Sequence, residues 1–596
     1  MLAPDARAVL LDELRPPPGH ALDAAVATTF TLDLAAALVP PLAFASFQIR
    51  GTPDPVAALE AVRACTDRVD VFCQAGQISV PAQASDLMTF LEPMVHEVRR
   101  PRAGRLFHPK IWLLRYRGED NSTRYRLLCL TRNLTRDHSW DAVLRLDGEQ
   151  RGGPRAANRP LARLIQYLPT ATVQPVAAQR VERLRQLAED VRRVEWERPT
   201  DVNEITFHVY GVPGTRDTAD FTGYRHLIVA PFLNDAGLNT VAPPGSRDVT
   251  VVSRIEDLER LSPETLHRLR PHIVSPVAGI EASADYDAPD DQQVLSGLHA
   301  KIYVAERNRR AHLYLGSANA TDAAFGGNVE ILVELTGGAT RFGVDTFLAP
   351  EAPFRGLLEE YAATGGAAPD PEDDAQRALA DLVRDLAAVP HTLTVTGPAD
   401  GGYTLHATTG NPLPLPDGYT ATVELLTRPG TAHHVARNQP LDATYPRVPL
   451  ADITPFLTLH ASSPEGLQRG TVIRARLLND PLGRLDEVLA RQVNTPEKFL
   501  RFLALLLGLG NPHVLTSLAQ AGTGDAARGG IGPGPGIFEM LVRALAEQPS
   551  AIADLDRLVQ RLSRTEEGRT VLPPGFDAVW PVVTAAHRRL RKARAR

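Results

Sequence analysis

Two short alternating runs, residues 111–116 and 124–130, flank the polar tip Gly118-Glu119-Asp120-Asn121-Ser122 and predict a β-hairpin. The pattern returns at 301–305 and 312–315 around Arg307-Asn308-Arg309-Arg310. Upstream of the first hairpin, 26–32 and 69–73 read as strands, with an apolar stretch at 34–44 and a helical run at 56–64. A further strand is expected at 142–146. Strands separated by helical runs predict an α/β layered lobe.

A second lobe repeats the first in order. His226 corresponds to Ala27, Val249 to Val69, His299 to His108 and Asn319 to Asn133, at offsets of 199, 180, 191 and 186 residues. Near-constant spacing of ordered elements is the mark of a duplicated unit with altered loops. Between the lobes, a Gly-, Pro- and Arg-rich loop leads into a helix predicted over 176–194, ended by Pro199. Past Val333 and Leu335, the stretch 364–374 has the Gly, Pro and acidic content of a linker. Short strands at 392–395, 403–407, 420–426 and 471–477 then predict a small β-domain, followed by helices at 485–507 and 538–546 around a Gly-rich segment at 522–536. The expected organisation is a first lobe over 1–150, a helical linker over 151–204 and a second lobe over 205–362. An acidic linker and helix over 363–389, a β-domain over 390–480 and a helical, basic-tailed region over 481–596 complete it.

Chemistry concentrates on the two hairpins. Phe107-His108-Pro109-Lys110-Ile111 is followed by Leu130-Thr131-Arg132-Asn133 and Trp140-Asp141; Leu298-His299-Ala300-Lys301-Ile302 is followed by Leu315-Gly316-Ser317-Ala318-Asn319 and Glu330. His, Lys, a hydroxyl, Asn and an acid recur in one order. In extended chain, residues two apart share a face, so the His and Lys of each copy point into one site. Only four lysines occur, Lys110, Lys301, Lys498 and Lys592, among 64 Lys+Arg. With 17 histidines in 596 residues, random placement gives roughly 0.1 His-x-Lys occurrences. A chain that avoids lysine yet keeps it twice beside histidine uses a compact ammonium where a planar guanidinium would not serve.

Composition is that of an ordinary globular chain, 43% hydrophobic and 22% charged, and its length allows two to four domains. Cys65, Cys73 and Cys129 form no Cys-x-x-Cys pair and lie in apolar runs, which predicts a reducing, cytoplasmic setting without disulfides or a thiolate metal site. His433-His434 would face opposite ways on a strand and does not suggest a metal site. No signal peptide or membrane span is expected. Net charge is −6, but Arg99, Arg100, Arg102, Arg105, Arg115, Arg117, Arg124, Arg126, Arg132 and Arg136 crowd around the first motif with few acids in the same stretch. Such a belt is the expected footprint of a polyanionic substrate. A second basic run, Arg588 to Arg596, reads as a tail.

Paired His and Lys with Asn and hydroxyl groups suggest phosphoryl chemistry in which protein cations neutralise the phosphate. One neutral imidazole would attack phosphorus and the other would protonate the leaving oxygen, with Asp141 and Glu330 orienting them. The order of residues resembles the phospholipase D superfamily, with its H-x-K-x4-D, G-S-x-N and later acid, over residues 20–345. Glu306 and Arg115 stand where that family has Asp, and Leu130-Thr131 stands for its Gly-Ser. The resemblance implies two similar α/β lobes (mixed sheets flanked by helices) meeting at one site, with His108 as nucleophile and His299 as acid and base.

The catalytic set expected is therefore His108, Lys110, Asn133, Asp141, His299, Lys301, Ser317, Asn319 and Glu330, with Thr131, Arg105, Arg115 and Arg132 binding substrate and neither metal nor cofactor required. Within that superfamily the chain is similar to bacterial nucleases of restriction and phage-defence type. The expected partner is nucleic acid, DNA ahead of RNA, with a helicase or other defence subunit as companion and no membrane. No Gly-x4-Gly-Lys-Ser/Thr motif is present to drive translocation. The alternatives are a phospholipase or phosphotransferase of the same superfamily, or a degenerate scaffold that binds nucleic acid or protein.

Overall fold

The computed structural model describes residues 10–44, 63–275, 297–499 and 541–594, interrupted at 64, 83, 85, 136–138, 216–218, 369, 400, 497, 542–544, 546–548, 564–565 and 573–575. The helical run expected at 56–64 falls almost wholly outside the described residues. So do Arg136, the segment 522–536 and most of the helix expected at 538–546.

Each predicted hairpin forms. Ile111–Gly118 pairs with Thr123–Leu130, and Ile302–Arg307 with Arg310–Gly316. The second turns on Asn308 and Arg309, both at positive φ (50° and 62°), the left-handed geometry that matches the twist of a two-residue hairpin loop. Around these hairpins the two lobes build the same six-strand order. In the first it runs Val95–Val98, Val69–Gln74, His20–Thr29, Ile111–Gly118, Thr123–Leu130, Val143–Gln150, with Val194–Trp196 added at the edge. In the second it runs Arg270–Val274, Asp248–Val252, Arg225–Val229, Ile302–Arg307, Arg310–Gly316, Glu330–Gly338, with Leu358–Glu360 and Val202–Tyr210 at its two edges. Strand directions agree as well: the first two pairings of each set are parallel and the rest antiparallel. The mixed α/β architecture expected from the repeat is present in both halves.

One hydrophobic cluster joins the inner faces of the two sheets. Leu113, Leu127 and Cys129 of the first lobe share it with Ile302, Leu313 and Val333 of the second. The outer faces are covered differently. The second lobe uses its own short helices, with Leu238, Leu258 and Leu266 packed on Ile228 and Val251. Over the first lobe lie helices from the far end of the chain, Arg484–Gln492, Pro549–Leu562 and Phe576–Arg594, whose Val488, Leu555, Phe576 and Trp580 pack with Leu22, Trp112 and Tyr116. The basic run at the end is therefore the last part of a helix as far as Arg594, with Arg588 and Arg589 exposed, rather than an unstructured tail.

A β-sandwich occupies the region expected to hold a β-domain. Its four-stranded sheet contains His391–Ala399, Gly402–Thr409, Asp442–Val448 and Arg476–Leu478. The facing sheet borrows two short strands from the first lobe, Leu32–Asp33 and Ile78–Ser79, the latter pairing Ile78 with Val472. Buried Arg484 adds a bidentate grip on Glu92, at 2.9 and 2.7 Å.

Candidate active site

The strands of both hairpins begin just after the His-x-Lys segments, at Ile111 and Ile302, and only the lysine carbonyls are still held by their own hairpins, Lys110 O by Leu130 N and Lys301 O by Gly316 N. The backbone partners of the two histidines come from the opposite lobe. His108 N donates to Val329 O (2.9 Å) and Val329 N to Leu106 O (2.8 Å); His299 N donates to Trp140 O (2.8 Å) and Trp140 N to Gly297 O (2.9 Å). Val329 precedes Glu330, and Trp140 precedes Asp141. Each histidine is thus strapped to the chain that carries the other lobe's acid.

On the first side this exchange forms a tight dyad. His108 Nδ1 donates to Glu330 Oε2 at 3.0 Å, and the same carboxylate accepts from the Ser317 hydroxyl and from Asn328 Nδ2. Lys110 Nζ donates to His108 Nε2 at 2.8 Å. The bonding fixes a tautomer with the proton on Nδ1 and the lone pair on Nε2. Burial and the neighbouring Lys110 and Lys301 push His108 down to about 4, against the pull of Glu330, so the imidazole is neutral at neutral pH. Burial alone would raise the Glu330 carboxyl, but His108, Lys110 and Ser317 hold it below its usual range.

Across the gap, His299 Nδ1 lies 3.1 Å from the Thr131 carbonyl, which also accepts from Lys301 Nζ at 3.2 Å. Asp141 forms an ion pair with Arg132 at 3.7 Å, and its charge acts on Lys301. Both lysines are fully buried. Burial brings Lys110 down to about 7 and, with Lys110 alongside, pushes Lys301 far below its usual value. Two buried ammonium groups sharing one buried carboxylate are costly unless a further anion arrives.

The hydroxyl residues act within the protein. Thr131 Oγ1 donates to Ala142 O and accepts from Ala142 N; Ser317 Oγ accepts from Ile331 N in the matching place. Both tie the Asn-bearing loop to the residue after the acid. Thr131, expected to bind substrate through its side chain, has a buried hydroxyl already committed and meets the site through its carbonyl. Asn133 and Asn319 occupy equivalent positions, and each buries an Oδ1 with no hydrogen-bond partner. Such an orphan costs about 1–3 kcal/mol. A half-turn of the amide presents N–H donors there without changing its shape.

The arginine belt does not survive in three dimensions. Arg115 is held by Asp23 and Asp190, Arg100 by Asp381 and Asp385, Arg124 by Glu149, and Arg126 by Asp147. Arg115, expected to bind substrate, lies along the strand away from His108 and replaces the family's Asp as part of a structural ion cluster. Glu306, at the matching place in the second lobe, accepts from Val344 N and the Tyr224 hydroxyl. Arg102, Arg105 and Arg132 remain near the site, Arg102 on Gly326 O and Arg105 loosely paired with Asp322 at 3.8 Å.

Four neighbours escape a motif search. Gln74 Oε1 accepts from Phe107 N, and Arg254 Nη2 donates to Leu298 O, so each braces the residue before one of the paired histidines. They lie 180 residues apart, the strand offset visible in the repeat. Phe30 meets the His108 ring edge-on at 5.1 Å, and Asn328 anchors both Leu106 N and Glu330. Among the described residues no cluster of three or more His, Cys, Asp or Glu is arranged to hold a metal ion.

No protein-family model matches the chain, and no curated protein is significantly similar to it. Solved structures do show similarity. The yeast tyrosyl-DNA phosphodiesterase is 13% identical, covering 56% of this chain and 87% of its own, with a TM-score of 0.33. A phosphatidylserine synthase from Haemophilus influenzae Rd KW20 is 12% identical, covering 63% and 92%, with a TM-score of 0.33. A polyphosphate kinase from Porphyromonas gingivalis is 14% identical over 55% of this chain, with a TM-score of 0.29; the match spans 42% of the kinase. In its motif order and its paired lobes, the chain resembles the phospholipase D superfamily. It has a two-lobed α/β fold with a C-terminal β-sandwich and helices.

Proposed function

We propose that the chain is a phosphodiesterase that works through a covalent phosphohistidine and cuts nucleic acid. The observation that carries the reading is the His108–Glu330 dyad set beside two buried lysines. Neutral His108, held through Nδ1, would attack phosphorus with Nε2 as Lys110 turns from that nitrogen to a phosphate oxygen. A P–N bond forms as the P–O bond to the leaving group breaks, and protonated His299 supplies the leaving oxygen's proton. Water then attacks the phosphohistidine while His299 takes its proton, and the P–N bond breaks to restore Nε2. Lys110, Lys301 and the two Asn amides would bear the charge of the phosphate oxygens.

The choice of nucleic acid rests on Arg102, Arg105 and Arg132 around the site, and on a chain whose described residues contain no helix long and apolar enough to cross a membrane. A role in phage defence or DNA processing, beside a helicase that supplies movement, would follow from such an activity. The test is cleavage of end-labelled single- and double-stranded DNA and RNA in excess EDTA. Persistent cleavage is expected; complete loss with rescue by Mg²⁺ or Mn²⁺ would show that the histidines and lysines are not the whole apparatus. Cleavage of phosphatidylcholine in place of any nucleic acid would move the substrate to lipid.

A further inference from the structure

The two lobes are not equivalent at the rim of the site. Strand registers pair Thr28 with Ile111 and Phe72, and Val229 with Ile302 and Val252. Counting onward from these pairs, Thr31 of the first lobe corresponds to Phe232 of the second, and Gln74 to Arg254. The first lobe thus carries a neutral hydroxyl and a neutral amide where the second carries an aromatic ring and a cation.

These two residues form one unit. The Arg254 guanidinium lies over the Phe232 ring at 4.6 Å from its centroid, while Nη2 donates to the carbonyl of Leu298, the residue before His299. Phe232 is 41% exposed, unusual for a large apolar side chain, and adjoins Leu233, whose backbone is bridged to Ala320 beside Asn319. Arg254 is half-buried and its Nε is buried without a hydrogen-bond partner; its charge acts on the Asp257 carboxylate, with which no ion pair within 4 Å is formed among the described residues. Its charge reaches Lys301. A guanidinium laid on an exposed ring beside His299, with its Nε left without a hydrogen-bond partner, is ready for an anionic, aromatic ligand.

We infer that Arg254 and Phe232 form a subsite for the leaving nucleotide of a nucleic-acid strand, Arg254 taking its next phosphate and Phe232 stacking on its base. The inference rests on the phosphodiesterase reading and deepens it. In-line displacement puts the leaving oxygen opposite the nucleophile. With His108 attacking, the departing strand lies on the His299 side, where these residues are. On the His108 side the matching positions, Thr31 and Gln74, carry no charge. Arg254 and Phe232 are positioning residues: they grip the departing strand away from the reacting atoms.

The test gives the second lobe the residues of the first, Arg254→Gln and Phe232→Thr, with Arg254→Lys as the variant that keeps charge. Bis(p-nitrophenyl) phosphate, whose leaving group has neither base nor second phosphate, reads whatever disturbance each change passes to His299 through Leu298, and the subsite is read as the loss on an oligonucleotide beyond the loss on this small diester. On an oligonucleotide, Arg254→Gln and Phe232→Thr should each lose about tenfold or more in kcat/KM, through KM. Arg254→Gln should lower the salt slope of binding by about one, and Arg254→Lys should retain it. Equal losses on both substrates, or none on the oligonucleotide, would overturn the subsite.

If the parent protein hydrolyses the small diester but no nucleic acid, the nuclease reading fails separately. Anisotropy of a labelled oligonucleotide then decides the subsite: weaker binding by Arg254→Gln sustains it, and equal or absent binding removes it. Arg254-dependent binding to phosphatidylserine vesicles with none to oligonucleotide would assign the pair to a lipid headgroup and overturn the inference.

Discussion

Glu330 of the second lobe holds the imidazole of His108 in the first, Oε2 to Nδ1 at 3.0 Å, across 222 residues of chain. The imidazole and the carboxylate that orients it therefore belong to different halves. Backbone bonds at Val329 and Trp140 strap both histidines across the lobe boundary in the same way.

Glu330→Gln keeps the shape of this contact and removes its charge. Activity should fall about 100-fold or more, by analogy with other carboxylates that orient a catalytic histidine. The pH profile carries the sharper prediction. His108 must be neutral, so kcat/KM of the parent falls as pH drops through about 4; Lys110 must be charged, so it falls again as pH rises through about 7. Glu330 favours the protonated form of both groups. Its loss should move both limbs to lower pH, and an alkaline limb that stays in place would remove Lys110 from the mechanism.

The two histidines should separate chemically. His299→Ala, given a substrate whose leaving group needs no proton, should accumulate acid-labile, base-stable phosphate on His108, because the step that hydrolyses it lacks its base. His108→Ala should trap none. The reverse pattern exchanges their roles, and full turnover by both variants would leave only a binding scaffold.

Gly237 lets the helix Asp235–Val241 lie against the loop that carries Asn319. A Cβ there would come within 1.9 Å of the Ala320 carbonyl oxygen. Gly237→Ala should push that loop away, lowering turnover more than tenfold and stability by about 1–3 kcal/mol. Unchanged activity with an unchanged urea midpoint would show that the loop yields freely.

Arg484 and Glu92 clamp the C-terminal region to the first lobe. Arg484→Ala leaves a buried carboxylate without its partner and should cost about 3–5 kcal/mol in denaturant unfolding, whereas the double change Arg484→Met with Glu92→Leu should recover most of it. If the single and double variants unfold at the same midpoint, the clamp contributes through packing alone.

Much of this architecture is legible in the sequence because its signals are local. Alternation marked the hairpins, scarce lysine marked Lys110 and Lys301, and fixed offsets marked the repeated lobes. The family's Gly-Ser step also has a local cause. Gly316 lies where a Cβ would meet the Ile331 carbonyl oxygen at 2.1 Å, while Leu130, its counterpart, packs against the first lobe's core. What stayed hidden depends on distant chain. The arginine belt looked unpaired because its acids, among them Asp23, Asp190 and Asp381, come from other elements. The helix Arg159–Tyr167 lay inside a stretch read as loop, where Pro160 near its first turn is a helix start rather than a break. Which acid serves which histidine is likewise set only when the lobes meet.

The strapping of each lobe to the other also fixes when the protein acquires its chemistry. At roughly 5–20 residues per second, a ribosome that has placed His108 needs on the order of 10–45 seconds to reach Glu330. Throughout that interval the nascent first lobe has a histidine with no carboxylate to orient it and an Asn loop facing no partner. A chain cut short before residue 330 lacks the carboxylate that orients His108, so abortive translation yields fragments without the dyad.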